Sequence, residues 1–94
     1  MKTLPLEAER RAAPRRQVSE QVHLCFEDQK RVEIAGEITD SSVTGFRVRY
    51  AAAALSPGLE VSFRCTGASG KARVIWTRVL GGQNVSGFVL LSPR

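Results

Sequence analysis

The sequence predicts an all-β fold: a small six-stranded antiparallel barrel of Greek-key-like order, with a flexible N-terminal arm and at most short helical turns. Six short segments alternate apolar and polar residues with period two, which is typical of half-buried strands. Gly, Pro, Asn, Asp and Ser separate these segments at regular intervals, and no segment has the pattern of a long helix. The length of 94 residues suits one domain. A sheet of six short strands must close into a barrel, because an open sheet would leave unpaired backbone N–H and C=O groups along its edges.

The first 20 residues are polar and lack a sustained period, so we expect residues 1–20 to form the arm and residues 21–94 the barrel. The first strand is predicted from three alternating apolar residues: Val22, Leu24 and Phe26. A polar turn at residues 27–30 leads to a second strand, in which Val32, Ile34, Gly36 and Ile38 share one face. Residues 40–45 then break the alternation and are predicted to form a turn.

The second half of the chain repeats this organisation. The third strand carries Phe46, Val48 and Tyr50 on one face, and residues 51–55 are predicted to form one helical turn closed by Ser56-Pro57-Gly58. The fourth strand covers residues 61–65, the fifth 71–79 and the last 85–91, with turns predicted at residues 66–70 and 81–84.

Composition favours an anionic partner. Lys and Arg outnumber Asp and Glu by 14 to 9, a net charge of +5, and four arginines lie within residues 10–16. The two cysteines do not form a disulfide framework and are expected to be buried free thiols. No apolar run approaches the roughly 18 residues of a membrane span, and residues 1–7 lack the apolar core of a signal peptide. We therefore expect a cytoplasmic protein.

Nothing in the sequence argues for an enzyme. His23 is the single histidine and has no carboxylate fixed near it in sequence, whereas general-base catalysis needs a positioned partner. The cysteines and the histidine lack the spacing of a zinc site, so no metal is expected. Phosphate-binding glycine loops and nucleophile motifs are also missing from the sequence.

The arginine cluster is the first candidate site. Arg11 and Arg15 are four residues apart, with Arg10 and Arg16 beside them. Guanidinium groups can fork two donors onto phosphate oxygens or donate to a guanine edge. Taken alone, however, a run of charge is more often a solvated surface feature.

The predicted turn at residues 40–45 is the second candidate site. The carboxylate of Asp40 can accept hydrogen bonds from the N1–H and N2–H groups of guanine, and the hydroxyl of Ser42 can donate or accept. Gly45 tolerates positive φ and permits close approach of a backbone or a ligand. An ordinary hairpin turn is the alternative interpretation.

The two candidate sites together are more specific than either alone. R-x-x-x-R, carried by Arg11 and Arg15, followed by D-x-S-x-x-G, carried by Asp40, Ser42 and Gly45, resembles the PilZ family. The resemblance spans roughly residues 8–92 and includes Val74-Ile75-Trp76 and Gly87-Phe88. It implies a non-enzymatic receptor for cyclic di-GMP, a bacterial second messenger with two phosphates and two guanines, and no separate cofactor.

The resemblance also implies roles for individual residues. Arg11 and Arg15 would contact phosphate and guanine, with Arg10 as a third arginine and Arg16 as a helper. Asp40 would bind a guanine edge, Ser42 would add a hydrogen bond, and Gly45 would permit the turn. The family often has a longer C-terminal helix, whereas this sequence stops soon after the last predicted strand.

The sequence allows more than one interpretation of Trp76 and of the mechanism. Trp76 shares a predicted face with Ala72 and Val74, which favours the core, although an indole can also stack on a base. The expected mechanism is ordering of the arm on ligand binding, with the signal passed to an unidentified downstream protein. The alternatives are a ligand-independent protein-interaction adaptor and a nucleic-acid-binding barrel, the latter disfavoured because basic and aromatic residues are not interleaved.

Overall fold

Six antiparallel strands close into a barrel, as the sequence predicts. A computed structural model of the chain describes residues 16–91, and this part contains no helix. The strands are β1 (Arg16–Glu27), β2 (Arg31–Ser41), β3 (Gly45–Tyr50), β4 (Glu60–Cys65), β5 (Ala68–Leu80) and β6 (Gln83–Leu90). Their order around the barrel is β1-β2-β3-β6-β5-β4. Because β4 returns to lie beside β1 after the β1-β2-β3 meander, the topology is a Greek key.

The barrel interior is one apolar core supplied by alternate residues of every strand. Phe46 lies at its centre, stacked on Phe88 with ring centroids 5.2 Å apart and edge-on to Phe63 at 5.0 Å. These separations are those of favourable aromatic pairs. The remaining buried members of the cluster are Val22, Leu24, Ile34, Ile38, Val48, Tyr50, Leu55, Val61, Ala72 and Val74.

The long segment between β3 and β4 differs from the prediction, because residues 51–55 do not form a helical turn. Leu55 is buried in the core, and its backbone bonds to the barrel instead of to a helical neighbour. Its N–H donates to the Tyr50 hydroxyl at 2.9 Å, and its carbonyl accepts from the Thr77 hydroxyl at 2.7 Å. Alanine has the highest helical propensity, but a single helical turn is marginal in water, so the burial of Leu55 and these two bonds decide the conformation.

Several element boundaries also shift. β1 begins at Arg16, within the stretch predicted as the arm, and β2 runs through Asp40 to Ser41. The turn at residues 66–70 shortens to two residues because β5 begins at Ala68. Polar residues form these strand ends because their backbones complete the ladder with a neighbouring strand, as Arg16 does opposite Ser41.

Candidate functional site

Two β-bulges bring Asp40 and Trp76 to the same outer face of the barrel. The register between β2 and β3 shifts between Ile38 and Asp40, and that between β5 and β6 shifts between Val74 and Trp76. Each bulge inserts one residue, so the next side chain points to the opposite face from the one that strict alternation predicts. Ile38 and Val74 are buried in the core. Asp40 and Trp76 therefore lie outside.

The interpretation of Trp76 as a core residue is thus wrong. Trp76 is absent from the core cluster and is only partly buried. Its indole lies against Gly87 of β6, where a Cβ atom would be 2.5 Å from Cε2 and 2.8 Å from Cζ2. Thr77 occupies the inward position instead, where it bonds to the buried Ser86 hydroxyl at 2.6 Å.

Residue pairing across four strands joins Asp40 and Trp76 into a continuous row. Asp40 pairs with Arg47, Arg47 with Gly87, and Gly87 with Trp76. We call these four residues the outer-face row. The row connects the carboxylate of Asp40 to the indole of Trp76. The connection runs through Arg47, which was not among the candidate site residues predicted from the sequence.

Arg47 is the central charged group of the outer-face row. Its Nη2 lies 3.2 Å from Asp40 Oδ2, and the Asp40 side chain is only 16% exposed. Its Nε is buried and has no hydrogen-bond partner among the described residues. Its guanidinium carbon lies 5.8 Å from the centroid of the Trp76 ring. Arg47 thus combines a carboxylate contact, an aromatic contact and a donor that is not yet satisfied.

A second arginine also lies over the indole. The guanidinium carbon of Arg78 is 4.8 Å from the Trp76 ring centroid, within the range of a cation–π contact. A cavity of about 190 Å³ borders the indole and is lined by Phe46, Arg47, Ile75, Trp76, Gly87 and Phe88. This region therefore presents an aromatic surface beside two guanidinium groups.

The turn between β2 and β3 is held by its own hydroxyl groups. The Ser42 N–H donates to the Gly45 carbonyl at 2.8 Å, and the Thr44 N–H donates to Ser42 Oγ at 3.2 Å. The hydroxyls of Ser42 and Thr44 are 3.1 Å apart. These bonds fix the orientation of the Ser42 side chain, so a ligand would meet a preformed hydroxyl.

Of the two properties predicted for Gly45, the structure uses the close approach of a backbone and not the tolerance of positive φ. Gly45 is not among the glycines with positive φ, so the turn does not require it for that purpose. A Cβ atom there would overlap the backbone carbonyl of Phe88. Gly45 is needed because β3 and β6 approach closely, and the predicted close approach is to a backbone.

The arginine cluster falls mostly outside the described residues. Arg10, Arg11 and Arg15 lie in the part that the structure does not describe. Arg16 is exposed and is the first residue of β1, where it pairs with Ser41. The R-x-x-x-R motif is therefore joined to the barrel immediately beside the Ser42–Thr44 turn.

The other chemically reactive side chains lie apart from the outer-face row: His23, Cys25 and Glu33 line a separate surface cavity of about 400 Å³. His23 is exposed on the outer face of β1, and both cysteines are free thiols. Burial raises the pKa of the Cys65 thiol, which disfavours the reactive thiolate. Among residues 16–91, no three His, Cys, Asp or Glu side chains are grouped to hold a metal ion. The same residues contain no helix long and apolar enough to cross a membrane.

No protein-family model matches this chain, and no curated protein matches it. The resemblance to the PilZ family therefore stays a prediction that rests on the two motifs. Sequence reasoning missed Arg47 and Gly87, the two middle residues of the outer-face row. The sequence gives only a weak signal for either, because Arg47 is one of several arginines in the predicted strands and Gly87 is one of eight glycines.

Proposed function

We propose that the chain is a non-enzymatic cyclic di-GMP receptor of the PilZ type, acting in the cytoplasm. In this proposal Arg10, Arg11 and Arg15 hold phosphate and guanine from the arm side, with Arg16 assisting. Asp40 and Ser42 bind from the barrel side, and Trp76 contacts a base. The observation that carries the proposal is the outer-face row, because two bulges turn Asp40 and Trp76 outward beside Arg47.

The chemistry of the row suits a guanine nucleotide. The carboxylate of Asp40 can accept the paired N1–H and N2–H donors of guanine. Arg47 can donate to a phosphate oxygen or to guanine O6 and N7. The indole of Trp76 offers a stacking surface. Since Asp40 and Arg47 already contact each other at 3.2 Å, the ligand would find the two groups held in place.

Ordering of the arm is the proposed switch. Fixing each backbone residue costs about 1–2 kcal/mol, whereas each charge-assisted hydrogen bond contributes about 1.5–3 kcal/mol. The arm must therefore make several such bonds to a dianionic ligand before it is held against the barrel. The ordered arm and the altered surface would then be recognised by a downstream protein.

Calorimetric titration with cyclic di-GMP tests the proposal. We expect saturable binding by the full chain, with at least a tenfold loss of affinity in Arg15→Ala and Asp40→Ala, which is about 1.4 kcal/mol. Arg64→Ala and Glu60→Ala are matched controls, because both side chains are exposed and lie on β4, away from the outer-face row. No heat at high micromolar ligand would reject the proposal. Tight binding that survives Arg15→Ala and Asp40→Ala would reject the assigned site.

Trp76 with two arginines over its ring also favours a second candidate, a single-stranded nucleic acid stacked on the same surface. The two candidates differ in their response to salt. Binding of oligonucleotides of random sequence should weaken steeply as salt rises, because condensed counterions are released. A steep salt slope with random oligonucleotides, together with no response to cyclic di-GMP, would favour nucleic acid. A chain that binds neither would be a ligand-independent adaptor.

A further inference from the structure

One edge of β5 is left without a strand neighbour. β4 pairs with β5 only as far as Arg73, and Val74 then bonds to the backbones of Gly58 and Leu59 at 2.7 and 2.9 Å. Before Gly58 the same segment turns to the inner side of β5, where the Leu55 carbonyl accepts from the side-chain hydroxyl of Thr77 at 2.7 Å and not from the strand backbone. Within residues 16–91, the stretch 75–80 pairs only with β6, on its other side. We call residues 75–80 the β5 free edge.

The hairpin geometry identifies which backbone groups face the free edge. Gly81 and Gly82, with φ of 59° and 82°, form the two-residue turn that makes Leu80 and Gln83 the closing pair of the β5–β6 hairpin. The closing pair exchanges hydrogen bonds, and antiparallel bonding then alternates along the strand. The N–H and C=O groups of Thr77 and Val79 therefore point away from β6.

The side chains of the free edge lack the usual protection against strand pairing. Edge strands are normally blocked by proline, by lysine or by inward-pointing charge. Here Ile75, Val79 and Leu80 are 51%, 67% and 56% exposed. The single charged residue, Arg78, lies over the ring of Trp76.

We propose that the β5 free edge pairs antiparallel with the same edge of a second copy of this chain, about a two-fold axis at Thr77. In this register Ile75 lies opposite Val79 of the second copy, and Trp76 lies opposite Arg78 of the second copy. Arg78, whose guanidinium carbon lies 4.8 Å from the centroid of its own indole, is thereby also placed beside the indole of the second copy. The two Thr77 backbones exchange a pair of hydrogen bonds.

Charge disfavours the neighbouring register. A shift of one residue along each strand would move the axis to Arg78 and place the two guanidinium groups directly opposite each other. Like charges that face each other across strands are destabilising. With the axis at Thr77, every pair from residue 75 to residue 79 is apolar with apolar, aromatic with cation, or Thr77 with itself. The free edge is therefore complementary to itself in this register, and the dimer does not depend on cyclic di-GMP.

Sedimentation equilibrium of the full chain, without ligand, tests the dimer. We expect a reversible dimer whose dissociation constant rises about tenfold in Val79→Lys, because a symmetric interface carries each substitution twice. Val43→Lys is the matched control. Val43 is also an exposed valine, at 76%, but it lies in the turn between β2 and β3, so its replacement should leave the dissociation constant unchanged.

Disulfide trapping tests the register. In a chain with Cys25→Ser and Cys65→Ser, a mixture of the Trp76→Cys and Arg78→Cys variants should cross-link faster than either variant alone. Directly opposite residues of a non-hydrogen-bonded pair have Cβ atoms about 4.5–5.5 Å apart. Equal rates in the mixture and in the single variants would overturn the register. A full chain that stays monomeric at millimolar concentration, or a dimer that is unaffected by Val79→Lys, would overturn the proposal.

Discussion

Replacing Gly45 by alanine should destabilise the barrel through a backbone collision. The new Cβ atom would overlap the Phe88 carbonyl, which cannot move aside as a side chain could. β3 and β6 must then separate where the Leu90 N–H donates to the Thr44 carbonyl at 2.9 Å, and where Phe46 stacks on Phe88. A hydrogen bond and an aromatic pair each contribute about 0.5–1.5 kcal/mol. When the strain of overpacking is added, we expect Gly45→Ala to lower the free energy of unfolding by about 2–4 kcal/mol.

A second glycine separates the steric cause from backbone conformation. Gly67 has φ of 79°, and a Cβ atom there would meet nothing within 4 Å. Gly67→Ala should therefore cost only the left-handed penalty of about 1–2 kcal/mol. The assay is urea denaturation followed by far-ultraviolet circular dichroism and by the fluorescence of Trp76, the single tryptophan. The reasoning is refuted if Gly45→Ala is less destabilising than Gly67→Ala.

Three further outcomes are expected. Gly87→Ala should displace the indole of Trp76 from Gly87, because the new Cβ atom would overlap the ring. The free energy of unfolding should fall by about 1–3 kcal/mol and the Trp76 fluorescence should shift to longer wavelength. An unchanged spectrum would contradict the packing. Tyr50→Phe should lower the free energy of unfolding in urea by about 1–3 kcal/mol, because the buried Tyr50 hydroxyl bonds to Ser86 and to the Leu55 N–H. An unchanged free energy of unfolding would contradict this. Ser19→Ala should raise the pKa of Glu37 in an NMR titration, because the Ser19 hydroxyl lowers it by donating at 2.5 Å. An unchanged Glu37 titration would contradict that assignment.

The lowered pKa of Glu37 also gives a pH dependence with a definite sign. Its carboxylate accepts from Ser19 and lies 2.6 Å from Arg49 Nη2, and both contacts favour the charged form. The stabilisation is present above the ordinary glutamate pKa and is lost as the pH falls through the lower folded-state value. Wild type should therefore lose more stability on acidification than Ser19→Ala. Since the pair is solvent-exposed, high salt should reduce the difference.

The fold was largely predictable because period-two alternation and turn residues are local signals. The inward positions of Val22, Leu24, Val48 and Phe63 follow from alternation alone. The segment 51–55 was not predictable from local preference, because Leu55 is fixed by distant partners across the barrel. Strand ends also extend past the alternating region wherever a neighbouring backbone completes the ladder.

The candidate site was only partly predictable, because bulges break the alternation on which the prediction depends. Nothing local in Ile75 signals that it is the extra residue, yet that residue moves Trp76 from the inner face to the outer face. The same holds for the shift before Asp40. Motif spacing singles out Asp40 and Ser42 as candidates, whereas Arg47 joins the candidate site only through cross-strand pairing, which a linear sequence does not display.

The most direct test of the central claim is an NMR titration of the full chain with cyclic di-GMP. We expect saturable shifts at the backbone amides of Asp40, Ser42 and Gly45 and at the single indole N–H of Trp76. The amide of Arg64, which lies on β4 away from the outer-face row, should not shift. Shifts confined to the Arg64 side of the barrel, or none at high micromolar ligand, would contradict the claim.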